Sequence, residues 1–291
     1  MKILSALAFA LLLLFSSCGG DEYPKTLLWK IEGNGLEEPS YLFGTIHVTC
    51  DATLSNKIKS ALEKTEVLVL EIAPEELWPE DAEYTEDYAV ILPNGNTLHD
   101  YMTEEEYRTV RTYMMRLGDF DLDDYNTYHP IGLSLYQVPP ELNCGGYFDS
   151  FESSLADKAY ENYMDFGGLE TLAFQTELLQ NTPVEPHIRY LLREAKSEKP
   201  ASNNAIRLIQ IHYKNEDLNG IQRVTLSDKY TKTWRSNPQI LDQRNLNWIP
   251  KMDSMVHARP TFFGVGAAHL VGSNGLIRLM EAQGYTMTPV F

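Results

Sequence analysis

Tyr41-Leu42-Phe43-Gly44-Thr45-Ile46-His47 and Thr261-Phe262-Phe263-Gly264-Val265-Gly266-Ala267-Ala268-His269 lie near opposite ends of a 291-residue chain, and each carries an apolar run into Gly-x-x-His. Short continuous apolar runs of this kind read as strands buried on both faces. Gly44 and Gly266 let other groups approach the backbone closely, and the histidine three residues on is delivered to the rim of a sheet. The repetition predicts that His47 and His269 meet in one site. Two imidazoles in one site suit a metal ion.

Outward from these runs, strands and helices alternate. Residues 27–31 and 41–46 are strand candidates separated by Gly33-Asn34-Gly35 and Pro39, which predicts a hairpin. Ser55 opens a helix to about residue 65, and the apolar run 67–70 is a buried strand that ends in Glu71. Thr103 with Glu106 makes a capping box for a helix to about residue 117, and 131–137 extends that layer. Ser150 caps a helix to about residue 163. Gly167-Gly168 then lead into Leu169-Glu170-Thr171 and a helix over 174–180. Amphipathic stretches follow at about 203–215, 217–231 and 238–256, then a strand at 261–265, a helix at 275–283 and a strand at 285–290. Strand, helix, strand at both ends predicts an α/β fold. Its mixed, largely parallel sheet is built from the N- and C-terminal parts, with a helical middle region over about 100–257. Ligands of open α/β sheets sit at the carboxyl ends of strands, where His47, Glu71 and His269 fall.

Composition bounds the function. Lys2, the apolar stretch 3–15 and Ser16-Ser17 before Cys18 read as a secretion signal over 1–17, too short to span a bilayer comfortably. Small residues before Cys18 resemble the lipobox of bacterial lipoproteins, so Cys18 is expected to be acylated. Residues 18–26 then form a polar tether, and 27–291 the folded domain. The expected location is extracytoplasmic, anchored by lipid to a bacterial membrane on the periplasmic side or at the outer membrane. Losing 1–17 removes Lys2 alone, leaving 23 basic against 41 acidic side chains, a balance of −18. That field and the lack of a basic cluster argue against nucleic acid. Cys50 and Cys144 are a plausible disulfide pair in that compartment, with two free thiols as the alternative.

Several segments resemble the TraB/GumN family across nearly all of the mature chain. They are Leu28-Trp29-Lys30-Ile31-Glu32-Gly33-Asn34-Gly35, the two Gly-x-x-His runs, and Gly284-Tyr285-Thr286-Met287-Thr288-Pro289-Val290. Leu169-Glu170-Thr171 with Gln175 is similar to the family's Leu-Glu-Thr and glutamine motif. Arg244-Asn245 is similar to the end of its Glu-Arg-Asn motif, with Gln243 in place of the glutamate. Members include the animal Tiki proteins, described as metal-dependent proteases, and the wider superfamily resembles erythromycin-esterase and haem-binding lipoprotein folds. The resemblance therefore implies a metalloprotease-like hydrolase acting on a peptide or protein substrate.

The residues point the same way. A hydrolytic metal site takes about three protein ligands and leaves a position for water, whose pKa falls from ~15.7 to ~7 in a favourable zinc site. His47 and His269 supply two nitrogens and Glu71 or Glu170 an oxygen, the other carboxylate being free to act as base. Arg244 and Asn245 suit a developing oxyanion, and Gly44, Gly266 and Gln175 are expected to line the substrate site. Zinc, manganese and cobalt all fit such ligands. For Glu71 the alternative is an ion pair with Arg244. His99, His129, His187, His212 and His257 match no motif and read as surface or core residues. The competing function is a non-catalytic lipoprotein that binds a peptide signal or haem.

Overall fold

Strands β1 (Leu28–Gly33) and β2 (Ser40–Thr45) pair antiparallel as the hairpin expected around the glycine-rich turn. The computed structural model describes residues 22–78, 89–118, 120–135, 144, 148–198, 201–227 and 239–291. The signal over 1–17, Cys18 and the start of the tether lie outside them. After α1 (Asn56–Leu62), strand β3 (Val67–Ile72) is buried on both faces as its apolar run requires. Strands β4 (Asp165–Glu170), β5 (Thr261–Gly266) and β6 (Tyr285–Pro289) complete one six-stranded sheet in the order β4-β3-β5-β2-β1-β6. The pairs β4–β3, β3–β5 and β5–β2 are parallel, and β2–β1 and β1–β6 antiparallel, so the fold is α/β with a mixed, mostly parallel sheet.

This order matters for the site. The chain visits β2, β3 and β4 in turn and then returns to insert β5 between β2 and β3. The four parallel strands end at the same edge, so Glu170, Glu71, Gly266 and Thr45 line up there at successive strand spacings of about 4.8 Å. A single core runs through both faces of the sheet, with Phe43, Phe262, Phe263 and Leu70 of the strands and Leu155 and Trp248 of the covering helices.

The expected helical middle is interrupted. β4 pairs in register with β3, Leu70 against Gly168 and Ile72 against Glu170, which divides the helices into two sets. Gly167-Gly168 hid this strand, because glycine is depleted in strands and carries no apolar alternation. Before β4 come α2 (Pro74–Leu77), α3 (Glu104–Gly118), α4 (Pro130–Leu135) and α5 (Phe151–Glu161). After it come α6 (Leu172–Gln180), α7 (Val184–Ala195), α8 (Ala201–Lys214) and α9 (Leu218–Thr225), and then α10 (Arg244–Ala258). α11 (Leu276–Ala282) joins the last two strands. The Thr103–Glu106 capping box and the Ser150 cap form as expected. α7 falls where no element is expected between the helix over 174–180 and the stretch at 203–215; its Pro186 lies in the first turn, where proline is tolerated, and Val184, Ile188, Leu191 and Ala195 make the apolar stripe.

That stripe closes a second core with Leu98, Val110, Met114, Leu122 and Leu133. At its margin His129 and His187 are buried with ring centroids 5.7 Å apart. His129 Nδ1 accepts from the Ile131 N–H and its Nε2 faces the Thr182 carbonyl at 3.1 Å, so the ring caps α4 as a neutral imidazole. Burial lowers both pKa values, that of His187 to about 4 with the neighbouring His129 adding to the effect. A histidine pKa depressed by folding means that the unfolded chain takes up the proton first. Stability is therefore complete above about pH 6.5 and is lost as pH falls toward 4, by on the order of 3 kcal/mol for His187. Urea unfolding at pH 7 and pH 4.5 tests this: His187→Leu should flatten the slope, and an unchanged slope would refute it.

Candidate functional site

The expected histidines, carboxylates, Arg244 and Asn245 are delivered by the ends of strands, the turns just after them or the start of a helix. β2 runs out through Thr45 into the loop carrying His47, β3 ends on Glu71 and Ile72, and β4 ends on Glu170. After β5 the short 3-10 turn Ala267–Leu270 places His269 against the sheet. Arg244 and Asn245 begin α10, directly after a single π turn, Gln239–Gln243. Such π turns often mark functional sites.

The two histidines meet. A Cβ built on Gly266 would lie 3.3 Å from Glu71 Oε1, 3.5 Å from His47 Nε2 and 3.8 Å from His269 Cδ2, so all three side chains surround the bare face of this glycine. Glu71 Oε1 also accepts from the Gly266 N–H at 2.9 Å and lies 3.7 Å from His269 Nε2. Gly44 spends its missing Cβ differently: Ala267 Cβ and Leu270 Cδ2 would approach within 3.0 and 3.1 Å, which seats the His269 turn on β2.

Arg244 is the hub. Its Nη2 donates to Glu71 Oε2 at 2.5 Å and to Glu170 Oε1 at 2.7 Å, and its Nε to both Glu170 oxygens at 2.9 and 3.2 Å. Its Nη1 donates to the Ile240 carbonyl and lies 3.1 Å from His269 Nε2. The ion pair weighed as the alternative for Glu71 is therefore present, and it coexists with the approach of both histidines. Glu170 also accepts from Trp248 Nε1 at 3.0 Å and Gln175 Nε2 at 3.0 Å, so both of its oxygens are taken. Gln175 reaches Glu71 Oε2 at 3.4 Å and so ties the two carboxylates together. Gln243 is exposed and donates to Asn247, so Arg244 is oriented by Glu170 and Glu71 and not by the residue before it.

The tautomer of His269 follows from Asn245. Its Nδ2 donates to the carbonyls of His269 and Asn274, so its Oδ1 must face His269 Nδ1, 2.6 Å away, and accept that proton. The Nε2 lone pair therefore points at Arg244 and the site. Burial lowers the His269 pKa to about 3, so the ring is neutral at pH 7. For Glu71, burial alone would raise the carboxyl, but the charges of His269, Arg244 and His47 and the Gly266 N–H hold it well below the usual carboxylate range. With His269 neutral at pH 7, Arg244 carries most of that field. His47 is different: desolvation opposes its charge, but the hydrogen bond and charge of Glu152, with Glu71, raise its pKa to about 9.

Two nitrogens and one oxygen around Gly266 are a donor set that zinc, manganese or cobalt would accept. They are not drawn to coordination distance: among the described residues no group of three His, Cys, Asp or Glu side chains is gathered closely enough to hold an ion. The group an ion would displace is Arg244 Nη1, which takes the His269 lone pair.

Three contributors escaped the sequence reading. Trp248 lies one turn after Arg244, under its guanidinium at 4.7 Å and beside the His269 ring at 4.5 Å; the i, i+4 spacing was the available signal. Glu152 lies 2.8 Å from His47 Nδ1 and accepts from the Thr45 hydroxyl, and nothing in the local sequence of either residue marks it. Cys50 and Cys144 form a disulfide with Cα atoms 4.9 Å apart. No helix among the described residues is long and apolar enough to cross a membrane.

No curated protein and no solved structure matches the chain. Residues 27–289 match the model of the TraB/PrgY/gumN family, so the chain belongs to that family.

Proposed function

We propose that this TraB/PrgY/gumN family member is a metal-dependent hydrolase, a peptidase of extracytoplasmic peptides held to a bacterial membrane through an acylated Cys18. The observation that carries the reading is the arrangement of His47, Glu71 and His269 around the bare face of Gly266, at the carboxyl edge of the parallel strands. These three residues would hold zinc, manganese or cobalt. When bound, the ion polarises a peptide carbonyl and brings the pKa of water from about 15.7 toward 7.

The chain's own residues divide the remaining work. Asn245 fixes the His269 ring so that only its Nε2 lone pair faces the site. Glu170, Trp248 and Gln175 hold Arg244 and Glu71 in place, and Arg244 Nη1, which faces His269 Nε2 at 3.1 Å, would be free to donate to charge developing on a carbonyl oxygen once an ion took that lone pair. Glu170 thus contributes through Arg244, because its own oxygens are saturated.

Metal content of the purified protein, read with chelator-sensitive cleavage of a peptide library, tests the proposal. Wild type should carry close to one ion per chain, and His47→Ala and His269→Ala should each abolish both signals. A metal-free wild type that binds haem or a peptide without cleaving it would favour the binding lipoprotein instead. Gly266→Ala is a sharper probe. Its φ of −51° suits alanine, so stability should change by less than about 1 kcal/mol, while the new methyl fills the space between the donors and lowers metal affinity at least about tenfold. Unchanged metal uptake in that variant would place the ion elsewhere.

A further inference from the structure

Glu152 has no role in the chemistry so far, yet it is a buried carboxylate, 8% exposed, in the first turn of α5. Its Oε1 accepts from the Thr45 hydroxyl and from His47 Nδ1 at 2.8 Å, while its buried Oε2 has no hydrogen-bond partner among the described residues. Burying a carboxylate with one oxygen unsatisfied costs stability that an apolar residue would not, so packing does not explain it. The helix N-terminus offsets part of that cost.

The His47 backbone is fixed by other ties. Tyr213 donates to the Gly44 carbonyl at 2.9 Å, Gln210 donates to the Val48 carbonyl at 2.5 Å, and Thr49 exchanges two backbone hydrogen bonds with Asp149 at 3.0 and 2.8 Å. None of these sets the ring. The His47 side chain is 64% exposed, and Glu152 makes the one hydrogen bond described for it. An exposed imidazole without a partner rotates about χ1 and χ2 and favours no tautomer for long.

We propose that Glu152 is the positioning residue of His47: it takes the Nδ1 proton, so that the ring is held in one orientation with Nε2 facing the space over Gly266. Thr45, at the end of β2, holds Glu152 in turn. The inference rests on the hydrolase reading for its consequence, since a ring so held would present its Nε2 lone pair to an ion as His269 does through Asn245. It stands on the hydrogen bonds for its geometry, and an ion at Nε2 would have to displace the proton that Glu152 and Glu71 favour on the ring.

Two readouts on the full-length protein separate these levels. In proton NMR the wild type should show a slowly exchanging, downfield imidazole Nδ1 proton that disappears in His47→Ala. It should be lost in Glu152→Ala and move upfield in Glu152→Gln, whose amide oxygen still accepts but carries no charge. In competition with a chromophoric chelator, Co2+ and Zn2+ affinity should fall 10–100-fold in Glu152→Ala, less in Glu152→Gln, and by nothing further when Glu152→Ala is added to His47→Ala. A Nδ1 proton that persists in folded Glu152→Ala, or an unshifted one in Glu152→Gln, overturns the proposal. So does an equal loss of affinity on the His47→Ala background. A wild type that takes up neither of these ions nor Mn2+ defeats the hydrolase reading, while the proton resonance still decides the role of Glu152.

Discussion

Arg244→Met lowers the free energy of unfolding by about 3–5 kcal/mol, the cost of leaving buried charges without their partner. The guanidinium is buried, and its Nε, Nη1 and Nη2 all donate, to Glu71, Glu170, the Ile240 carbonyl and the His269 ring. Methionine matches the apolar stem over Trp248 but answers none of these acceptors. Glu71 and Glu170, both bound to the same Arg244 nitrogen, are then two buried carboxylates without their shared cation, and one must take a proton or draw in water. Arg244→Lys should recover only part of the loss, because an ammonium is a point charge and cannot serve two carboxylates and a ring nitrogen in a planar fork. Adding Glu170→Gln to Arg244→Met should cost less than the sum of the two single changes, since it removes one of the stranded charges. Urea unfolding at pH 7 measures all three. A loss below about 1 kcal/mol for Arg244→Met would mean that water already screens the pair.

Much of the fold was readable because its strands are buried on both faces. Continuous apolar runs at β2, β3 and β5 have no competing periodicity, and the turn chemistry between β1 and β2 settles their antiparallel pairing. β4 escaped because half of it is Asp165, Gly167 and Gly168, and its place in the sheet is set by β3 rather than by its own propensity. No element is expected where α7 lies, although its Pro186 falls in the first turn, where proline does not stop a helix. Tertiary context decided the case of β4.

Legibility of the site followed the same line. His47, Glu71 and His269 stand at strand ends, where sequence alone marks them, Glu170 is marked by its resemblance to a family motif, and the structure brings all four to one edge with Arg244 and Asn245. Who partners whom was not legible. That Glu71 faces both Arg244 and Gly266, and that Glu170 is saturated by Arg244, Trp248 and Gln175, depends on side-chain directions across three elements distant in sequence. Glu152 is the extreme case, an acid in the first turn of a helix that no motif marks, which the fold sets beside His47, 105 positions earlier.

Reducing the Cys50–Cys144 bridge, or replacing both cysteines with serine, should lower the unfolding free energy by about 3–5 kcal/mol. The bridge closes a segment with a sequence separation of 94 residues. Loop-closure entropy for a loop of that size comes to about 4–5 kcal/mol, most of it from restricting the unfolded chain. Other contacts tie the same segments together beside the bridge, two backbone hydrogen bonds between Thr49 and Asp149 and the His47–Glu152 pair. An effect on the unfolded state leaves the unfolding rate nearly unchanged wherever the loop is already closed in the transition state, and slows refolding. Stopped-flow measurements on Cys50→Ser/Cys144→Ser therefore separate two accounts. If refolding slows and unfolding does not, the bridge acts on the unfolded chain. If unfolding accelerates by the full amount, either the loop is still open in the transition state or the bridge clamps the His47 loop on α5, and only the clamp lowers metal affinity in parallel.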